Sequence, residues 1–227
     1  MNRTEARVLL STNMKYMVSE HRDNQEFMEL VGKGLDSGLS YLCQMPRGDA
    51  RIKHIYGDVD KLVTILKADA KERGMEISCK RGCTHCCNLF IACSHEEADL
   101  LYKTAKKKGI KLSKKRLEYQ ARFKNDHDYF TRFGKRTKCV FLGDDGDCMV
   151  YEQRPIACRK YFVTSSPENC MPHVETKTQN VSVPNSFELE MLATAQMNLD
   201  LVEGFAKEGD NFSLSARLLE RLNNDRA

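Results

Sequence analysis

Cys79-Lys80-Arg81-Gly82-Cys83-Thr84-His85-Cys86-Cys87 sets four thiols within nine residues, and Cys139, Cys148, Cys158 and Cys170 follow downstream. Thiolates crowded together repel one another, and a bound cation removes that cost by deprotonating and neutralising them. The stretch therefore points to a metal-thiolate protein. The spacing Cys79-x3-Cys83-x2-Cys86 lets one loop wrap three thiolates around a centre, with Gly82 relieving the tight backbone. Loop N–H groups can face the sulfurs and stabilise their charge. Adjacent Cys86 and Cys87 suit different metals, or different edges of one cluster, better than a bond to each other. Disulfides are the competing reading. Ten cysteines without an export signal point instead to a reducing, cytoplasmic compartment. A chain of 227 residues can also bury an ordinary core without covalent staples.

Outward from the thiols the pattern is helical. After an apolar run ending at Cys93, Ser94-His95-Glu96-Glu97 reads as a capping box, opening a helix to about Lys108 that Gly109 closes. Ser113 caps a further helix expected over 114–133. Asp145-Gly146 marks a turn between Cys139 and Cys148, a short hairpin or loop whose acidic trio lacks the spacing of a calcium loop. Upstream, 4–45 keeps helical spacing with Thr4 as a candidate cap, and Gly32, Gly34 and Gly38 predict two or three short helices rather than one. Cys43 falls on the apolar stripe of this region and is expected to be a core thiol, as is Cys93 beside its apolar neighbours. After the turn Pro46-Arg47-Gly48-Asp49, a helix carries Val59 and Leu66 and ends near Gly74. Residues 176–184 read as a linker, followed by a helix broken at Gly209 and a short last helix over 213–222. With no internal repeat and no βα alternation, the fold class is mainly α: a helical domain with irregular Cys-rich loops folded around a metal-thiolate site. The expected organisation is a helical segment 1–75, a cysteine domain 76–175 with a basic helical insertion at 103–138, and a linker with helices at 176–227, together one compact unit.

The C-x3-C-x2-C spacing also occurs in radical S-adenosylmethionine enzymes, but the repeating βα pattern of their barrels is missing here. The fuller order resembles the CxxCxxCC (YkgJ-type) cysteine-cluster family, whose members are described as zinc- or iron-chelating. It comprises Cys79 to Cys87, Ser94-His95-Glu96-Glu97-Ala98, Cys139-Val140-Phe141-Leu142, Gly146 through Pro155, Cys158-Arg159-Lys160-Tyr161 and Cys170. The likeness covers about 77–172 and departs at the basic insertion and in both flanks. It implies that Cys79, Cys83, Cys86, Cys87, Cys139, Cys148, Cys158 and Cys170 are the ligand set. Four cysteines suit zinc or a [4Fe–4S] cluster equally, so both cofactors stay open, as do one cluster with spare thiols and two four-coordinate sites. His173, in C-x2-H spacing with Cys170, is a reserve ligand, while His85 reads as a solvated imidazole. Tyr151, Arg154, Arg159 and Tyr161 come with the motif as residues around the ligands, the arginines neutralising thiolate charge, while Arg159 or a tyrosine acting on a substrate is the sharper alternative.

The net charge of +4 conceals +11 over 103–138 and −7 elsewhere. Lys106, Lys107, Lys108, Lys114, Lys115 and Arg116, near Tyr119 and Phe123, could meet nucleic acid, an acidic protein or the acidic remainder of this chain; a solvated helix face is the plainer reading. No apolar run reaches membrane-spanning length, and the N-terminus does not read as a secretory signal. The function expected is a structural or redox metal-binding protein. One enzymatic alternative is implied by the resemblance, which includes a flagellin lysine methyltransferase, and a nucleic-acid-associated metal protein is the other. Whether the chain is an enzyme stays open.

Overall fold

The computed structural model describes residues 17–124, 129, 136–170, 184–207 and 209–225. The expected cap at Thr4, the reserve ligand His173 and most of 125–135 and 176–184 lie outside these residues. The described chain is helical: α1 Gln25–Cys43, α2 Asp49–Glu72, α3 His95–Lys107, α4 Lys114–Gln120, α5 Ile156–Arg159, α6 Phe187–Val202 and α7 Leu214–Asn224. Single 3-10 turns form at His85–Asn88, Tyr151–Gln153 and Pro167–Cys170. Extended pairing among the described residues is confined to the bridges Ala92 with Ser213 and Leu142 with Cys148.

Two apolar clusters carry the fold. The first joins Leu42, Ile52, Val59, Ile156, Phe162 and Leu189, so α1, α2 and α6 share one core with the segment that carries Cys158. The second joins Cys93, Leu101, Leu117, Phe141, Val150 and Leu218. Helix α3 stands between them, with Leu100 in the first and Ala98, Leu101 and Ala105 in the second. Its N-terminus is the expected capping box: Glu97 N–H donates to Ser94 Oγ (3.3 Å) and Ser94 N–H to Glu97 Oε2 (3.0 Å).

Several sequence expectations need correction. α1 runs unbroken for 19 residues across all three glycines, so the break within 4–45 falls at 21–24, after helical residues 17–20, and not at a glycine. Gly34 and Gly38 face α6, where an added Cβ would lie 2.8 Å from Met191 Cγ and 2.9 Å from Ala195 Cβ; the missing side chains permit close packing instead of breaking the helix. Cys43 is exposed, because Leu42 takes the inward position and the next residue rotates away about 100°. α4 ends at Gln120, where the side-chain amide of Asn211 caps the exit by donating to the carbonyls of Ala121 (2.6 Å) and Phe123 (3.0 Å). α6 ends at Val202 rather than Gly209, since Gly204 already adopts φ +77° and Phe205 N–H returns to Asp200 O at 2.8 Å.

Candidate metal centre

The cysteine loops have little regular structure and are held by point contacts. Cys83 N–H closes a turn onto Lys80 O (3.1 Å), made possible by Gly82 at φ +86°. Ser78 N–H donates to Val163 O (3.0 Å) and Val163 N–H to Cys79 Sγ (3.3 Å), which fastens the first thiol to the segment after α5. Cys139 N–H donates to Cys87 O at 2.7 Å, joining the two cysteine halves. The expected hairpin forms around Gly146 (φ +82°), with Gly143 N–H to Asp147 O and Met149 N–H to Phe141 O, both 2.9 Å. Arg81 reaches across to Asp147 at 2.8 Å.

These contacts open a cleft of about 90 Å³ whose walls include Cys79, Cys83, Cys86, Cys87, Cys148 and Cys158, together with Tyr151, Arg154, Arg159 and Tyr161. Lys67 and Lys80 stand at it as well. Two of the expected ligands are not on its walls. Cys139 lies beside a smaller cavity with Gln120 and Tyr129, and Cys170 is buried with its thiol hydrogen-bonded to Tyr161. All ten cysteines are free thiols. Among the described residues no three His, Cys, Asp or Glu side chains converge tightly enough to hold an ion as they stand. Six of the eight thiols therefore share a cleft without converging on one point.

The donor chemistry fits a thiophilic metal. Burial pushes the Cys79, Cys148 and Cys158 thiols above the ordinary cysteine value, Cys139 to about 12 and Cys170 to about 11. For Cys86 the hydrogen bond with Cys87 is the main cause of the rise, with burial second. The positive charge of Arg154 opposes these rises at Cys86, Cys148 and Cys158. A cation able to replace the thiol protons would supply the counter-charge that burial withholds, and soft sulfur donors suit zinc or iron–sulfur centres.

Arg154 stacks on Tyr151 at 3.8 Å, and its buried Nε has no hydrogen-bond partner among the described residues. Arg159 instead spends its donors on the fold: Nε to Arg154 O (2.8 Å), one amino group to Asp60 of α2 (2.7 Å) and the other to Glu152 O, with its plane 4.0 Å over Tyr56. Cys93 is buried in the second core cluster, and His85 is half-buried in its 3-10 turn. Four of the six basic residues singled out from sequence are engaged within the molecule. Lys106 pairs with Asp225 (2.7 Å) and Lys114 with Glu118 (4.0 Å), while Lys108 donates to Met149 O (2.9 Å) and Arg116 to Cys139 O (3.4 Å).

Sequence reasoning missed a charged hub at the start of α3. Glu96 accepts from Arg51 Nε and Nη2 (3.0 and 2.5 Å), and Arg51 also grips Glu203. Glu97 accepts the Ile156 N–H at 2.8 Å. His95 N–H donates to Asp200 (2.6 Å), its Nδ1 lies 2.9 Å from the same carboxylate, and its Nε2 meets Arg217 at 2.9 Å. Three consecutive residues thus tie α3 to α2, to the Cys158 segment and to the last two helices. The one sequence signal was the run of ionisable residues at a helix start, which the capping box alone does not require.

In comparison with known proteins, residues 78–183 fit the family model CxxCxxCC, described as a "Putative zinc- or iron-chelating domain". Neither the curated proteins nor the solved structures give a match. Among the described residues no helix is long and apolar enough to cross a membrane.

Proposed function

With residues 78–183 carrying the zinc- or iron-chelating CxxCxxCC domain as premise, we propose that the chain holds a metal centre through Cys79, Cys83, Cys86, Cys87, Cys139, Cys148, Cys158 and Cys170, in a structural or electron-carrying role. The observation that carries this reading is the cleft onto which six of those thiols open, with Arg154 on its wall as a cation for Cys86, Cys148 and Cys158. A bound zinc ion or iron–sulfur cluster would supply the charge that deprotonates and neutralises the thiols. The chain's own residues do the rest. Val163 N–H stabilises charge on Cys79, and Tyr161 does so on Cys170. Arg154 balances the thiols around Cys86, and Arg159 fixes the loop that presents Arg154. Metal and acid-labile sulfide analysis with an absorption spectrum, on protein purified without oxygen, tests the reading. Iron with sulfide and broad visible absorbance gives an iron–sulfur protein; stoichiometric zinc in a colourless sample gives a structural centre. Protein that carries neither, and takes up neither on reconstitution, sinks the proposal.

For the basic insertion, the ion pairs from Lys106 to Asp225 and Lys103 to Asp49 favour an internal fastening role over a nucleic-acid surface. RNA and DNA binding measured across a salt series checks this: tight binding at low salt that weakens steeply with salt would restore the nucleic-acid reading.

A further inference from the structure

The walls of the cysteine cleft carry four cationic side chains, Lys67, Lys80, Arg154 and Arg159, and among the described residues no carboxylate lines it. Arg159 is spent on the fold, through Asp60 and two backbone carbonyls. The other three form no ion pair among the described residues, whereas Lys61, Lys103, Lys106 and Lys160 elsewhere each meet an acid. They are nevertheless held in place. Arg154 is oriented by stacking on Tyr151 at 3.8 Å, with Arg81 5.6 Å from the same ring. Lys67 belongs to α2, outside the matched 78–183, and its Nζ lies 5.3 Å over the Phe162 ring. Lys67 is half-buried and Lys80 is exposed, so the lysines stand toward solvent.

Like charges gathered on one concave wall focus their field and draw in a ligand of opposite sign. Metal-bound sulfur would absorb part of that field. A single four-thiolate centre carries a net charge of about −2, whether it is zinc or a [4Fe–4S] cluster. Arg154 and either lysine match that charge, which leaves one cation over. Space points the same way. The cleft measures about 90 Å³. One water takes roughly 10–15 Å³ on that scale, so a group of several heavy atoms fits beside a metal ion bound to its sulfurs.

Building on the metal-thiolate reading above, we propose that the cleft also takes a small oxyanion-bearing ligand, a carboxylate or a phosphate, gripped by Lys67 and Lys80 with Arg154 behind them. Ammonium and guanidinium groups make charge-assisted hydrogen bonds to such oxygens, about twice as strong as neutral ones. The centre then faces a ligand and is more than a staple for the loops. Lys67 gives α2 a part in choosing that ligand, a part the matched domain does not supply from its own residues.

The test uses the full chain purified without oxygen, with inorganic phosphate and carbon-13-labelled acetate as probes. Line broadening of the phosphorus-31 and carbon-13 resonances is followed at constant ionic strength in chloride. Saturable broadening of at least one probe is expected, with a Kd on the order of 1 mM. Lys67→Met should weaken that binding about tenfold or more, and Lys67→Arg should keep it within about threefold because the charge remains. Lys61→Met, on the same helix but paired with Asp58, should leave it unchanged. Tighter binding of phosphate assigns a phosphate ligand, and tighter binding of acetate a carboxylate. No saturable binding of either probe, or binding that Lys67→Met leaves intact, overturns the proposal; in the second case the anion sits on other surface cations. Lys67→Met that loses metal while the wild type binds neither probe would make Lys67 a counter-charge for the thiolates alone. Metal analysis of the same samples reads the metal centre separately. A chain without metal fails that reading, while the resonances still decide this one.

Discussion

Arg51 is 2 % exposed and meets two carboxylates, the buried Glu96 and the partly open Glu203. A buried guanidinium is tolerable only when such partners satisfy its donors. Its hydrogen bonds hold the Glu203 carboxyl below the usual glutamate value of 4.5, with Arg47 helping and partial burial opposing. The folded state therefore favours the ionised form. That stabilisation is complete above the unfolded value and is lost as pH falls through the lower folded one. Glu203→Gln should cost about 1–3 kcal/mol at pH 7 and progressively less toward pH 3. Urea midpoints of both proteins across that range check the sign; a gap that widens on acidification would contradict it. Cys43 gives a second prediction. Being exposed, it should accept Ser with a change under about 0.5 kcal/mol and no change in metal content, whereas Cys83→Ser and Cys158→Ser should lower both. Metal loss on changing Cys43 would show that the ligand set is drawn wrongly.

Helix α1 shows how one residue type acts oppositely along a single element. Gly32 has nothing within 4 Å of the position its Cβ would take, so Gly32→Ala should stabilise by about 0.5–1 kcal/mol through helix propensity. Gly38→Ala would press a methyl group to 2.9 Å from Ala195 Cβ, which has no flexible tail to yield, and should destabilise by about 1–3 kcal/mol. Equal urea midpoints for the two variants would show that the α1–α6 seam is looser than described. The same glycines show what was legible in the sequence. The Ser94–Glu97 capping box and the Asp145-Gly146 turn were readable because donor and acceptor lie within a few residues of each other. Gly34 and Gly38 were misread as breakers because the residues that need their smallness, Met191 and Ala195, come more than 150 positions later. The cysteine spacing named its candidates for the same local reason. The Arg51–Glu96 and His95–Asp200 pairs left only the ionisable run at the start of α3, which does not name partners 45 and 105 residues away.

At the scale of the molecule, the match to a metal-chelating domain stops at 78–183, yet the first core is shared by α1, α2, α6 and Phe162. The flanking helices are thus built into the floor of the cysteine segment. On the metal reading proposed above, removing the metal should act unevenly. A chelator under reducing conditions should lower the melting temperature and speed amide exchange over 78–92 and 139–170, where loops depend on point contacts. Exchange in α1 and α6, which bury their own apolar faces, should stay slow. Hydrogen-exchange mass spectrometry separates this from uniform loosening, which would mean that the metal governs the whole core.

The hub at the start of α3 also has a consequence for biogenesis. Its bonds span 45 residues to Arg51, 59 to Ile156, 105 to Asp200 and 122 to Arg217. Synthesis runs from the N-terminus, and contacts of such span form late because long loops must close first. Every cysteine from Cys79 to Cys170 has therefore left the ribosome before Asp200 and Arg217 can dock on His95. For the interval in which those two partners are still being made, α3 lacks its ties to the last two helices, although all eight proposed ligands have already been synthesised.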